Sequence, residues 1–231
     1  MIETERVLEA LSGVRDPELD QSITELGFIT GVEVEGGSVS VRLRLPTYFC
    51  AANFAYLMAF DAKSAILAVP GVHEARVVLD DHFASEEINE GIGGDKEFQE
   101  AFAGQTKGGL DDLRWLFRRK GFMSRQERLL RTLLNDGSIA PDIVSVRLRD
   151  LPRSPEIDLY LERRRELGFD VSPGAPFVVD LEGRPIPAET IEEQRRFARL
   201  VGVSIEANAG LCRGLLAARY GLPDPEEVAT G

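Results

Sequence analysis

The chain has 231 residues, 43% of them hydrophobic and 29% charged, with a formal net charge of −12. That is the composition of a soluble globular protein with enough length for one or two domains. No uninterrupted apolar run approaches the roughly 20 residues that span a bilayer, so no membrane association is expected. The acidic start, Met1 to Glu5, has no signal-peptide pattern, and a cytoplasmic location is the expectation. The charge is lopsided. Residues 1–110 hold 19 acidic and 8 basic side chains, whereas residues 111–231 hold 20 and 19. An acidic first half disfavours nucleic acid, which is bound by neutralising phosphates. The basic cluster Arg114, Arg118, Arg119, Lys120, Arg125, Arg128 and Arg131 reads as a solvated helix face or a docking surface.

In chain order, Glu3 to Leu11 predicts a helix with Val7, Leu8 and Leu11 on one side. The Asp16-Pro17-Glu18 turn follows, because the residue before proline is pushed out of the helical region. Phe28 to Glu35 and Ser38 to Leu45 predict strands, the second alternating Val39, Val41, Leu43 and Leu45 with polar partners. Gly36-Gly37 between them is a hairpin signal. Ala51 to Val69 predicts a helix that Pro70-Gly71 ends, and Val72 to Leu79 a third strand. This α-β-β-α-β order predicts an α/β (α+β) fold, a small two-layer domain over residues 1–83.

Beyond it, a helix opens at Ser85, read as its N-cap, and Gly91 to Gly94 interrupts it. Lys96 to Ala103 is a short helix and Gly104 to Gly109 a loop. Leu110 to Leu134 reads as two helices split near Gly121, or one kinked helix. Ile143 to Leu148 is strand-like, Ser154 to Leu167 a helix stopped by Gly168, and Pro176 to Val179 with Arg184 to Ile186 a hairpin. Ala188 to Leu200 and Ile205 to Tyr220 predict two last helices, and the tail after Gly221 is expected to fray. The expected organisation is three parts: 1–83, a helical segment 84–137, and a mixed, mainly helical extension 138–231.

The chemistry centres on Cys50, between a strand and a helix start, where the helix dipole favours a thiolate. Thr47 stands three residues before it and can hydrogen-bond the same ligand. Asp16 and Glu18 flank Pro17; the simplest reading of that pair is a polar turn. His82 and Glu86 are four apart among carboxylates and are candidate metal ligands, against an acidic helix-capping loop. Cys212 is either a core thiol or, with Asn208 one turn away, part of the Cys50 site. Two cysteines cannot supply the four thiolates of an ordinary iron–sulfur cluster. A monomer would bind one transiently with other ligands, or share it across a homodimer. No dinucleotide loop, Walker sequence, nucleophile elbow or paired Cys-x-x-Cys is present.

Residues 3–80 resemble the MIP18 family of iron–sulfur assembly proteins, which includes SufT-like members. The resemblance rests on Val7 to Leu11, Val14 to Leu19, Glu25 to Ile29, Thr47 to Cys50, Val69 to Val72 and Val77 to Leu79. It implies a maturation factor that handles iron or a transient iron–sulfur cluster, with Asp16, Glu18, Thr47 and Cys50 at the site. Family members usually follow the cysteine with proline, whereas Ala51-Ala52 stands here. The stretch Asp81 to Asn89 and the extension are similar to larger members found beside bacterial multicomponent diiron monooxygenases, which implies a diiron hydroxylase subunit as client. The alternatives are a thiol- or metal-dependent enzyme using Cys50 with His82 and Asp16, and a metal-free chaperone-like interaction module.

Overall fold

A computed structural model describes residues 2–96, 98–102, 110–137 and 142–222. The predicted loop 104–109 and the tail 223–231 lie outside the described residues. The first helix, α1 (Thr4–Ser12), buries Val7 and Leu11 completely. Strands β1 (Ile29–Glu35) and β2 (Ser38–Arg44) pair antiparallel around Gly36-Gly37. Gly36 adopts φ +60, and a Cβ on Gly37 would fall 2.2 Å from the His73 ring, so both glycines are required. Helix α2 (Ala52–Leu67) returns the chain to β3 (Glu74–Asp80), which lies parallel to β2 in a sheet of order β1-β2-β3. Val39, Val41 and Leu43 of β2 are buried and their neighbours are not, the alternation a one-sided sheet demands.

Next come α3 (Ser85–Gly93) and the single turn α4 (Phe98–Ala101). The N-cap of α3 is Ala84 rather than Ser85, and its N–H is taken by His82 Nδ1 at 3.2 Å. Asn89 of α3 grips Leu79 of β3 through both N–H and C=O, at 2.8 and 3.1 Å. Gly91 is buried where a Cβ would come within 2.8 Å of Ala101 and 2.9 Å of Tyr56.

The chain forms two compact units, Met1–Leu113 with Ala207–Gly231, and Arg114–Glu206. Each has its own apolar core. In the second unit lies most of α5 (Leu110–Asn135), a single helix, where the sequence left open two helices split near Gly121 or one kinked helix. Gly121 is buried on its inner face, so the residue marks packing rather than a stop. Ile143 to Leu148, expected as a strand, instead contains a 3₁₀ turn (Ile143–Ser145) and leads into another (Leu148–Asp150). The hairpin expected at 176–186 reduces to a turn with a single bridge, Val179 to Pro185. Helix α6 (Pro155–Glu166) has the expected form, with Ser154 Oγ accepting from Ile157 N at 3.3 Å and Gly168 at φ +72 beyond its end.

Helix α7 (Ile191–Tyr220) replaces the two predicted last helices. Gly202, between the two predicted helices, sits where a Cβ would approach Ser124 Oγ at 2.9 Å. Among the described residues, α7 is long and apolar enough by length and composition to cross a membrane. Polar side chains interrupt its apolar stretch, which is why an uninterrupted-run criterion does not find it. Those same side chains anchor its C-terminal half within the first unit, as described below.

The tight packing at Gly91 yields a test. Gly91→Val is expected to destabilise the protein by about 1–3 kcal/mol, the usual cost of overpacking. Urea unfolding of both proteins measures it.

Candidate functional site

Three connections converge at the ends of the strands. The first is the turn after α1. Asp16 N donates to Gln21 O at 2.9 Å, and Asp16 Oδ1 accepts from the N–H of Glu18 and of Leu19, each at 2.9 Å. The turn is therefore an Asx motif that Pro17 stiffens. Asp20, at φ +50, completes it. The carboxyl of Asp16 is buried, and that burial pushes its pKa up to about 6 despite the two N–H donors.

The second connection joins β2 to α2 and carries Cys50. Thr47 Oγ1 lies 3.3 Å from Cys50 Sγ. Ala51 is the N-cap of α2, so the half-buried thiol stands one residue ahead of the cap. The third connection follows β3. There His82, almost wholly buried, donates from Nε2 to the Cys50 carbonyl at 2.8 Å while Nδ1 accepts from Ala84 N. Both ring nitrogens are thus engaged by backbone, and burial holds the imidazole below its usual pKa. His82 braces the thiol loop from behind. Glu86 is exposed on α3, whereas His82 is buried.

The C-terminal half of α7 lies across these loops, all within the first unit. Asn208 Nδ2 donates to Glu18 Oε1 at 3.3 Å and Arg213 to Gln21 Oε1 at 3.0 Å. Arg219 donates to Leu45 O at 3.2 Å and Asp81 O at 2.8 Å, and pairs with the Asp81 carboxylate at 2.6 Å. Tyr220 bonds the same carboxylate and lies under Arg44, 4.4 Å from its ring centroid. Cys212 is half-buried, and both cysteines are free thiols. Burial and the negative charges of Asp16, Cys50 and Glu18 push the Cys212 thiol up to about 11. The C-terminal half of α7 meets the Asp16 turn through Asn208 and Arg213, and the end of β2 through Arg219. The sequence groups Asn208 with Cys212, one turn apart, but does not show the bond from Asn208 to Glu18.

Around Cys50 the surface is aromatic. Tyr48, Phe49 and Phe83 are exposed, Phe49 by 77%, with Phe49 edge-on to Tyr48 and stacked on Phe83 at centroid distances of 5.0 and 6.1 Å. Among the described residues no three His, Cys, Asp or Glu side chains are placed to hold one metal ion together. Cys50 and Cys212 are each soft sulfur donors, half-buried and free.

Comparison with known proteins places the first part of the chain in a family. A family model described as "Iron-sulfur cluster assembly protein" matches residues 4–77. An uncharacterized protein of Methanocaldococcus jannaschii is 37% identical over 91 residues, 39% of this chain and 94% of that protein. Proteins named "Iron-sulfur cluster carrier protein" from Synechocystis and Deinococcus radiodurans are 38% and 37% identical over 77 and 71 residues, 33% and 31% of this chain. The match spans only 21% and 20% of those two carriers' own lengths. The chain belongs to the iron–sulfur cluster assembly protein family, through the α-β-β-α-β part of its first unit.

The buried carboxyl gives a pH-dependent prediction. A folded pKa of about 6 against an ordinary 3.8 means the folded state holds the Asp16 proton more tightly than the unfolded chain. The associated stability is fully present below 3.8 and lost as pH rises through about 6, amounting to about 3 kcal/mol at 1.36 kcal/mol per pH unit. Asp16→Asn keeps the Oδ1 acceptor and removes the ionisation. It is expected to stabilise the protein by roughly 1–3 kcal/mol at about pH 7.5 and by almost nothing at about pH 3.5. Denaturant unfolding at the two pH values reads the difference.

Proposed function

We propose that the protein is a non-catalytic maturation factor that holds iron, or a transient iron–sulfur unit, at Cys50 and passes it to a client metalloprotein. The observation that carries this reading is the Cys50 loop itself. Its thiol is half-buried beside Thr47, its carbonyl is fixed by His82, and it stands in a family of iron–sulfur cluster assembly proteins. The carrier relatives match the same part of the chain. The cargo is a substrate in transit, and a site with two thiols and open positions suits exchange better than permanent storage. The engagement of both His82 nitrogens supports a handling role, because a base able to activate Cys50 needs a free ring nitrogen.

A carrier must present its thiol to the acceptor. The exposed Tyr48, Phe49 and Phe83 rings border Cys50 and supply apolar contact at the transfer point. The client class suggested by the extended sequence is a diiron hydroxylase subunit, and the working location is the cytoplasm.

Anaerobic purification with iron and acid-labile sulfide analysis tests the reading. Wild type is expected to hold iron with sulfide, and Cys50→Ala to lose both and fail to activate an apo client. Its fold should survive at a cost of about 1–2 kcal/mol. Normal loading and activation by Cys50→Ala would sink the proposal. Phe49→Ser, by contrast, is expected to load normally but deliver cargo to the client more slowly, measured by the rate of client activation.

A further inference from the structure

The residues of α7 that reach the first unit's loops share one helix face. Asn208, Cys212, Leu216 and Arg219 are spaced i, i+4, i+8 and i+11, which stacks them along a single stripe. At one end Asn208 bonds Glu18, and beside Cys212 Arg213 bonds Gln21. Leu216 is 3% exposed and would meet a side chain on Gly27 at 3.5 Å. At the other end Arg219 bonds Leu45 O, where the thiol loop begins, and Asp81, next to the His82 that holds the Cys50 carbonyl. Asn208 to Arg219 covers about 16 Å of helix axis at about 1.5 Å per residue. Cys212 sits inside that span, on the inward stripe, packed against the same core as Cys50. Leu211, one residue away, is 61% exposed on the outer face. All of these α7 residues lie outside the family match at residues 4–77.

We propose that Cys212 is a second sulfur ligand for the cargo, so that the iron–sulfur unit at Cys50 is held by one thiolate from each end of the chain. The inference rests on the carrier reading above and deepens it. Each thiol gives up its proton to solvent as its sulfur–iron bond forms, and no iron or sulfur atom changes oxidation state in the binding step. Two protein thiolates leave the remaining iron positions to outside ligands, which a client's cysteines can replace in turn. Asn208 and Arg213, on either side of Cys212, fix the register of α7 over the Asp16–Gln21 turn and so position the second thiol.

The test is anaerobic reconstitution of the full-length chain with ferrous iron and sulfide, followed by gel filtration. Retained iron, retained sulfide and the rate of loss to a chelator are read for each variant. Cys212→Ser and Cys212→Ala are expected to release the unit roughly tenfold faster or more, on the scale of weakened metal sites, with an altered visible absorption spectrum. Leu211→Ser, on the outer face, should match wild type, and circular dichroism of each variant checks that α7 is intact. Two folded Cys212 variants that retain the unit and its spectrum as wild type does, while Cys50→Ala loses it, would overturn the role of Cys212 and leave the carrier reading standing. Failure of wild type to retain any iron, or full retention by Cys50→Ala, would overturn both.

Discussion

The site depends on one forked contact. Arg219 reaches the carbonyls of Leu45 and Asp81 and pairs with the Asp81 carboxylate. Leu45 directly follows β2 and Asp81 directly follows β3, so a single guanidinium ties the ends of the two parallel strands and docks α7 on both. Arginine suits the task because its planar fork offers several donors in fixed directions. Asp81 has φ +51, a strained position for a residue with a side chain, and the contacts of its carbonyl and carboxylate help to hold it there. Once Arg219 is seated, the helix stripe carries Leu216, Cys212 and Asn208 back over the Asp16 turn.

Behind that contact, the site spends polar groups on rigidity. His82 is buried to fix the carbonyl of Cys50, and its two nitrogens have complementary roles that define one tautomer. Asp16 is buried to close a turn with two N–H donors, and the low polarity that raises its pKa leaves an ionised carboxylate costly to hold there at neutral pH.

Much of the first unit was legible because its signals are local. The alternation of β2, the glycine pair before it and the proline-stiffened turn each specify their conformation within a few residues. Thr47 and Cys50 could be grouped from sequence because they are three residues apart, and their side chains meet at 3.3 Å. Glycine was the misleading signal elsewhere. Gly121 resembles a helix break, yet it is buried within a long helix, and a Cβ on Gly202 of α7 would approach Ser124 Oγ at 2.9 Å. Ile143 to Leu148 has the apolar content of a strand, but among the described residues its pairing is a bridge at Arg147, and its backbone closes into 3₁₀ turns. The approach of residues 208–220 to residues 16–21 is a tertiary fact; no window of sequence contains it.

Joint holding of the cargo by Cys50 and Cys212 requires the two thiols to lie within short reach of each other. The chain has two cysteines, so a short bifunctional thiol reagent can test it directly. Applied to the dilute native protein, with peptide mass spectrometry of the product, it should join Cys50 to Cys212 within one chain, and the yield should fall when Arg219→Ala loosens α7. Absence of an intramolecular link in the folded protein, with both thiols reacting singly, would contradict the account.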